Sequence, residues 1–332
     1  MSPAGDVPAQ MTAAYITEPG TADAIRVGPL PTPRPAADQV LVRTEALVVN
    51  HVDTFVRSGA YRTALPSPFV IGRDLVGTVV QVGSTATGFA VGDRVWCNSL
   101  GHGGRQGSFA QYAAVPAERL YRLPDGVDAE SAAAVLHTAA TAHLGLFREA
   151  GLRVGETIIV GGAAGGVGSC VVQLAAAAGA RVIATARPED ADWCRGCGAA
   201  EVVDYRDPEL FARLAELAPD GADVYWDNAG VHDLEHAVPL LARRGRIIAM
   251  AGMSTMPTLP VGQLYVRDAS IRGFAISNAG VDDLAAAAKV VNHGLKSGIL
   301  KARIADRLPL AQAADAHRRQ EAGPHGRILV VP

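Results

Sequence analysis

Gly165 and Gly168 stand at phosphate-turn spacing in Thr157-Ile-Ile-Val-Gly-Gly-Ala-Ala-Gly-Gly-Val-Gly168. The four residues Thr157 to Val160 form an apolar, β-branched run, and an alanine-rich helical pattern follows the glycines. Strand, glycine turn and helix in that order make a place for a pyrophosphate. Gly165 lets the backbone approach it, Gly168 lets the helix sit close to the strand, and the unpaired N–H groups at the helix start receive the anion. The turn reads Ala163-x-Gly165-x-x-Gly168, with alanine where the strict pattern begins with glycine, and the residues in reach of the phosphates are Ala164, Gly165, Gly166, Val167 and Gly168. A plain glycine-rich hairpin uses the same letters, so residues further along the chain must discriminate between the two.

Downstream the chain reads Val182-Ile-Ala-Thr-Ala-Arg187 at the end of the next apolar run. An NAD site places Asp or Glu here for the ribose hydroxyls, whereas a 2′-phosphate needs a cation. Ala186 followed by Arg187 therefore favours NADPH, with Tyr205 placed to flank the adenine or the 2′-phosphate. Glu189 and Asp190 close by keep open the reading of Arg187 as a solvated helix-entry residue.

These residues need a scaffold that alternates strands with helices. The runs Arg181 to Ala186, Glu201 to Val203, Asp223 to Trp226, Arg246 to Ala251 and Ser270 to Phe274 alternate with helical segments, the pattern of a parallel doubly wound sheet. Before them, Gln39 to Val49, Leu75 to Val82, Asp93 to Cys97 and Phe109 to Val115 are short runs broken by glycine and proline, which read as a barrel-like antiparallel domain. Helical character begins at Asp128-Ala-Glu-Ser131 and runs to about Ala150. The chain closes with a helix pair and a strand, Gly326 to Val331, that can return to the first domain.

With 332 residues, 49% of them hydrophobic, the chain has material for two cores. A net charge of −3 gives no basic field for nucleic acid or an anionic membrane, and no run reaches membrane-spanning length. Residues 1–10 read as a flexible tail without the features of a signal peptide, which suits a cytoplasmic protein. Cys194-x-x-Cys197 has no second pair to complete a zinc site, and all four cysteines read as reduced thiols.

Three blocks in the first domain, taken in order with the glycine turn, carry a family resemblance. They are Val49-Asn-His-Val-Asp-Thr-Phe-Val-Arg-Ser-Gly-Ala-Tyr61, Pro68-Phe-Val-Ile-Gly-Arg-Asp-Leu-Val-Gly77 and Gly92-Asp-Arg-Val95. Over nearly its whole length the chain resembles the medium-chain dehydrogenase/reductase superfamily and, within it, the zinc-independent NADPH:quinone oxidoreductase branch. The resemblance implies an α/β fold with a GroES-like β-barrel catalytic domain (11–128 and 275–332), a Rossmann domain (129–274), and an active site in the cleft between them. Zinc-dependent members carry cysteine where Asn50 stands, Gly-His-Glu where this chain has Gly72-Arg-Asp74, and a four-cysteine lobe where it runs Asn98 to Gly107. Both metal sites are therefore expected to be absent. Hydride transfer to an enone or quinone then suits the site better than alcohol oxidation.

By the same resemblance Asn50 and Tyr61 supply hydrogen bonds to the substrate oxygen, and Asp53 is a third catalytic candidate, although an aspartate so placed more often holds its loop together. Phe55 stands where many relatives have tyrosine, and His51 is a loop histidine or a substrate contact. The cofactor set extends to Thr141 beside the nicotinamide, Asn228 and Gly252 at strand ends, Phe274, Ile276 and Ser277 along the carboxamide, and Arg327 toward the phosphates. His137, His143 and His232 read as structural or surface residues.

The expectation is an NADPH-dependent, metal-free reductase of quinones or other α,β-unsaturated carbonyls. A 2-enoyl thioester or alkenal reductase is the alternative activity, and a non-catalytic NADPH-binding or sensor protein the alternative of another class. The expected partners are a small-molecule quinone or enone and a second copy of the chain in a homodimer, with Ser270 to Phe274 as its contact strand.

Overall fold

The computed structural model describes residues 7–332 of the chain, which divide into two compact units. Residues 1–6 of the expected tail lie outside the described residues, while Gln10 already opens a strand and pairs with Pro31. The first unit ends at His137 and resumes at Gly280; the second runs from Thr138 to Ala279. The first boundary falls beyond the expected one because the helix Ala129–Ala133, started by the Asp128 carboxylate accepting from the Ser131 N–H at 2.8 Å, packs on strands of the first unit.

The first unit is antiparallel for the most part. Its larger sheet runs, in spatial order, Ile304–Pro309, Arg327–Val331, Gln39–Val48, Asp74–Val82, Arg94–Cys97 and Tyr121–Arg122, with Tyr112–Pro116 also paired to Gln39–Val48. A three-stranded sheet joins Arg26–Pro31, Gln10–Ile16 and Phe69–Val70. The last strand of the chain does return here, with Leu329 opposite Val48 and Val330 opposite Leu47. Val40, Val42, Leu47, Leu75, Val95 and Phe109 fill the core without measurable exposure. Together the two sheets form the GroES-like domain.

The second unit is a six-stranded parallel sheet with flanking helices. Its spatial order is Glu201–Asp204, Arg181–Ala186, Thr157–Gly161, Ala222–Asp227, Leu241–Ala249 and Ser270–Gly273, so the chain starts in the middle and winds outward both ways. This is the Rossmann plan, and its switch point lies between Thr157–Gly161 and Ala222–Asp227. Ile158, Ile159 and Val160 are fully buried, as expected of a central parallel strand covered on both faces. The fifth strand begins at Leu241, ahead of the expected Arg246, because Ala222 already pairs with Leu241 before the register shifts. The helix expected to run on to Ala150 changes after His143 into a π-helical turn, Leu144–Glu149. There Gly145 meets Trp226 so closely that an added Cβ would lie 2.0 Å from the indole.

Candidate functional site

The phosphate turn follows from the strand that precedes it. Thr157–Gly161 ends at Gly162, whose φ of +64° is one that alanine adopts only with strain. The tight-turn role of the pattern's first glycine is thus filled by Gly162, and Ala163 is free to bury its methyl group completely. The Ala163 N–H donates to the Thr185 carbonyl at 3.0 Å, and the Gly165 N–H to the Gly162 carbonyl at 3.1 Å, tying the turn to the neighbouring strand and to itself. Gly165 caps the helix Gly166–Ala177. Gly168 lies against the loop: a Cβ there would stand 2.2 Å from the Gly162 carbonyl oxygen, against 3.3 Å for one on Gly165. The first-turn N–H groups of this helix have no partner within it. Trp193 braces the assembly by donating to the Ser169 hydroxyl at 2.8 Å, and that hydroxyl reaches the Ala163 carbonyl at 3.3 Å.

One strand over, Arg187 follows Arg181–Ala186 and its Nε donates to the Tyr205 hydroxyl at 3.3 Å. Tyr205 comes straight after Glu201–Asp204, the adjacent strand, and its N–H donates to the Ala186 carbonyl at 3.4 Å. Arg206 lies over the Tyr205 ring at 5.8 Å. Two guanidiniums therefore flank one phenol beside the phosphate turn, and Glu189 lies 3.9 Å from Arg187 and 3.7 Å from Arg206. Sequence reasoning missed Arg206; its place next to Tyr205 was the available signal.

The other strand ends meet at the same edge of the sheet. Asn228 donates through Nδ2 to the Gly161 carbonyl at 2.9 Å, and the Asp227 carboxylate accepts from the N–H groups of Ala229 and His232, both at 2.7 Å. Gly230 and Gly252 abut, since a Cβ on Gly230 would lie 2.6 Å from the Gly252 nitrogen. His232 and Ala251 hold left-handed φ angles of 53° and 65° beside this contact, strain of the kind that collects at ligand sites. His232 is buried and structural, with Nε2 3.4 Å from the Ala251 carbonyl oxygen. Phe274 packs edge-on against Trp226 at 6.0 Å, with Ile276 and Ser277 in the short helix Ile276–Asn278 that comes next. Thr141 is buried in the helix Leu136–His143.

The catalytic candidates lie in the first unit, in a buried polar cluster whose extent the sequence did not reveal. Asn50 and Asp53 open the helix His51–Ser58, and the Asp53 carboxylate accepts from the Asn50 N–H at 2.8 Å. Arg327, expected at the cofactor phosphates, is instead 6% exposed and donates to the Asn50 side-chain oxygen and the Val49 carbonyl. Arg73 and Asp74 complete the cluster, with His137 donating its N–H to the Asp74 carboxyl at 3.1 Å. Burial pushes Asp53 up to about 6, with Arg73 and the Asn50 N–H pulling it back. Burial, reinforced by the charge of Asp53, pushes Asp74 up to about 8. Burial and the two arginines hold His137 down to about 3, so at neutral pH its 3.7 Å contact with Asp74 joins two groups that are largely uncharged. Asn50 and Asp53 thus lie in a buried cluster with Arg73, Asp74, His137 and Arg327. Tyr61, half-buried with its ring 5.9 Å from that of His102, is the one catalytic candidate that is not buried.

The geometry describes a dinucleotide-binding sheet accompanied by a GroES-like unit, the plan of an oxidoreductase. Residues 36–125 match the family model "Alcohol dehydrogenase GroES-like domain" and residues 166–292 match "Zinc-binding dehydrogenase". A quinone oxidoreductase of Pseudomonas aeruginosa is 35% identical, across 85% of this chain and 87% of its own. Among solved structures, mycobacterial Rv1454c complexed with NADPH superposes with a TM-score of 0.85 at 30% identity, covering 97% of this chain and all of the other. A structure described as an NAD-dependent alcohol dehydrogenase reaches a TM-score of 0.87 at 31% identity, with the same coverage. The chain belongs to the quinone oxidoreductase branch of the medium-chain dehydrogenase/reductase superfamily.

The zinc named in the second family description does not fit the residues present. Arg73 and Arg327 bring two positive charges to the Asp53 and Asp74 carboxyls, and among the described residues no three His, Cys, Asp or Glu side chains are grouped to hold a metal ion.

Proposed function

We propose that the chain is an NADPH-dependent oxidoreductase that reduces quinones or other α,β-unsaturated carbonyls. The observation that carries the cofactor choice is the pair of guanidiniums around Tyr205 beside the phosphate turn. A 2′-phosphate is a compact dianion, and Arg187 with the Tyr205 hydroxyl offers it donors in fork geometry. The first-turn N–H groups of Gly166, Val167 and Gly168 suit the pyrophosphate, and the open backbone at Gly165 lets it approach. When bound, the nicotinamide supplies a hydride.

A quinone or enone carbon is already polarised, so hydride addition needs the acceptor held in place and its oxygen stabilised as charge develops there. Tyr61 is the side chain we assign to donate a hydrogen bond to that oxygen, because it is the one of the three catalytic candidates that is not buried. A proton from water then completes the reduction. The quinone class is supported by the relatives' names.

The test is steady-state turnover with NADPH and with NADH on a panel of quinones, enones, alkenals and 2-enoyl thioesters. NADPH efficiency above that with NADH on a quinone or enone is expected, and Arg187→Ala should erase the preference. Faster turnover of thioesters would move the substrate class. Tight NADPH binding with no turnover on any acceptor would overturn the enzymatic reading.

A further inference from the structure

Glu189 holds a position that a ligand for the two arginines would claim. Its Oε1 is 3.9 Å from Arg187 Nη1 and its Oε2 is 3.7 Å from Arg206 Nη2, so one carboxylate spans both guanidiniums. Both distances exceed the 2.7–3.2 Å typical of N–H···O hydrogen bonds, so these are loose, charge-only pairings. All three side chains are about half exposed. The hydrogen bonds of the group run elsewhere: Arg187 Nε to the Tyr205 hydroxyl at 3.3 Å, and Arg206 to Asp204 through its backbone N–H at 3.0 Å and its Nε at 3.3 Å. Each guanidinium thus has a hydrogen-bond partner other than Glu189. The carboxylate faces both by charge at the longer distances.

We propose that Glu189 is a specificity-determining residue, an internal anion that sits between Arg187 and Arg206 and is displaced by the 2′-phosphate of the cofactor, with Arg206 the second cation of that site. The proposal rests on NADPH being the cofactor. A phosphate monoester carries nearly two negative charges and three strong acceptor oxygens, so it outcompetes a single loosely paired carboxylate. Glu189 nevertheless opposes it, since a retained carboxylate repels the incoming dianion and screens both arginines. The opposite role for the same residue is the acidic one of an NAD site, accepting hydrogen bonds from the ribose hydroxyls. The two roles predict opposite consequences for one substitution.

The experiment is isothermal titration of 2′,5′-ADP and of 5′-AMP into the wild-type chain, Glu189→Gln and Arg206→Gln, at low and high salt. Glu189→Gln should tighten 2′,5′-ADP by about two- to five-fold, the range of an exposed charge pair, and leave 5′-AMP unchanged. The gain should shrink in 1 M salt, where the Debye length falls to about 3 Å. Arg206→Gln should weaken 2′,5′-ADP alone. Unchanged or weaker 2′,5′-ADP binding in Glu189→Gln overturns the proposal, and a parallel loss of 5′-AMP affinity assigns Glu189 to the ribose hydroxyls. An Arg206→Gln chain that binds 2′,5′-ADP as the wild type does removes Arg206 from the site. Failure of the cofactor reading shows separately: a wild-type chain with no preference for 2′,5′-ADP overturns NADPH selectivity. If Glu189→Gln then creates that preference, the role of Glu189 still stands.

Discussion

Replacing Gly168 with alanine tests whether the phosphate turn is held by backbone contact. The added Cβ would lie 2.2 Å from the Gly162 carbonyl oxygen, 2.9 Å from the Ala163 Cα and 3.0 Å from the Gly162 carbonyl carbon. All three are backbone atoms of the turn itself, so no side chain can rotate away, and an ordinary contact requires the helix start and the turn to part by roughly 1 Å. Overpacking of this kind costs about 1–3 kcal/mol. In a unit of this size that lowers the melting temperature by on the order of 5 °C. The same displacement misdirects the first-turn N–H groups, and a shift of about 1 Å in a positioned ligand can cost about a hundredfold.

Gly165→Ala is the internal comparison. Its Cβ meets only the Gly162 carbonyl oxygen, at 3.3 Å, so stability should change little while the methyl group obstructs approach of the pyrophosphate. Differential scanning calorimetry and NADPH titration on both variants separate the two effects. Gly168→Ala should lose stability and binding together, and Gly165→Ala binding alone. A Gly168→Ala chain that melts and binds as the wild type does would refute the close-contact account.

Two further outcomes arise from buried charges. Arg246 is 8% exposed and donates to the carbonyls of Ala150 at 2.6 Å, Asp223 at 3.0 Å and Gly151 at 3.2 Å while pairing with Glu156. Arg246→Met should destabilise by about 2 kcal/mol in urea unfolding, below the usual cost of a broken buried pair because Glu156 is partly solvated, and Arg246→Lys should not restore what the fork supplies. Asp53 and Asp74 are pushed above their ordinary value of 3.8, so the stability tied to their protonation is full below about pH 4 and is lost as pH rises through about 6 and about 8. His137 and His317, both held down to about 3, act in the opposite sense: their contribution is full above 6.5 and is lost as pH falls toward 3. Asp74→Asn should therefore recover several kcal/mol at pH 9, since each unit of pKa difference is worth about 1.4 kcal/mol, and leave the acid limb in place; an unaltered alkaline loss would rule out Asp74 as its source.

Both domain types could be read from the chain because their signals are local. Thr157 to Val160 declare a buried parallel strand by composition alone, and the glycines after it declare a turn by their freedom at positive φ. Arg187 is likewise read from its place at the end of a run, since strand ends in such sheets face the ligand. Local pattern did not reveal that Gly162 takes the positive φ, because each of the adjacent glycines can adopt it and only the fit against Asn228 and Gly168 selects one.

The tertiary structure alone decided which charges meet. Asn50, Asp53, Arg73, Asp74, His137 and Arg327 are scattered over the first unit's sequence, and pairing of Arg327–Val331 with Gln39–Val48 is what brings Arg327 to Asn50. Their protonation depends on burial and on one another, neither of which a one-dimensional pattern carries. The same holds for Glu189 with Arg206 and for Arg246 with Glu156, pairs that lie apart in sequence and meet in the fold. The chain by itself determined a doubly wound parallel sheet with a glycine turn, a barrel-like antiparallel domain and a cation, Arg187, at the end of a strand. Folding decided that Asn50 and Asp53 are buried together, that Arg327 joins them, and that the Glu189 carboxylate faces two guanidiniums, because electrostatic partners are chosen by distance in space.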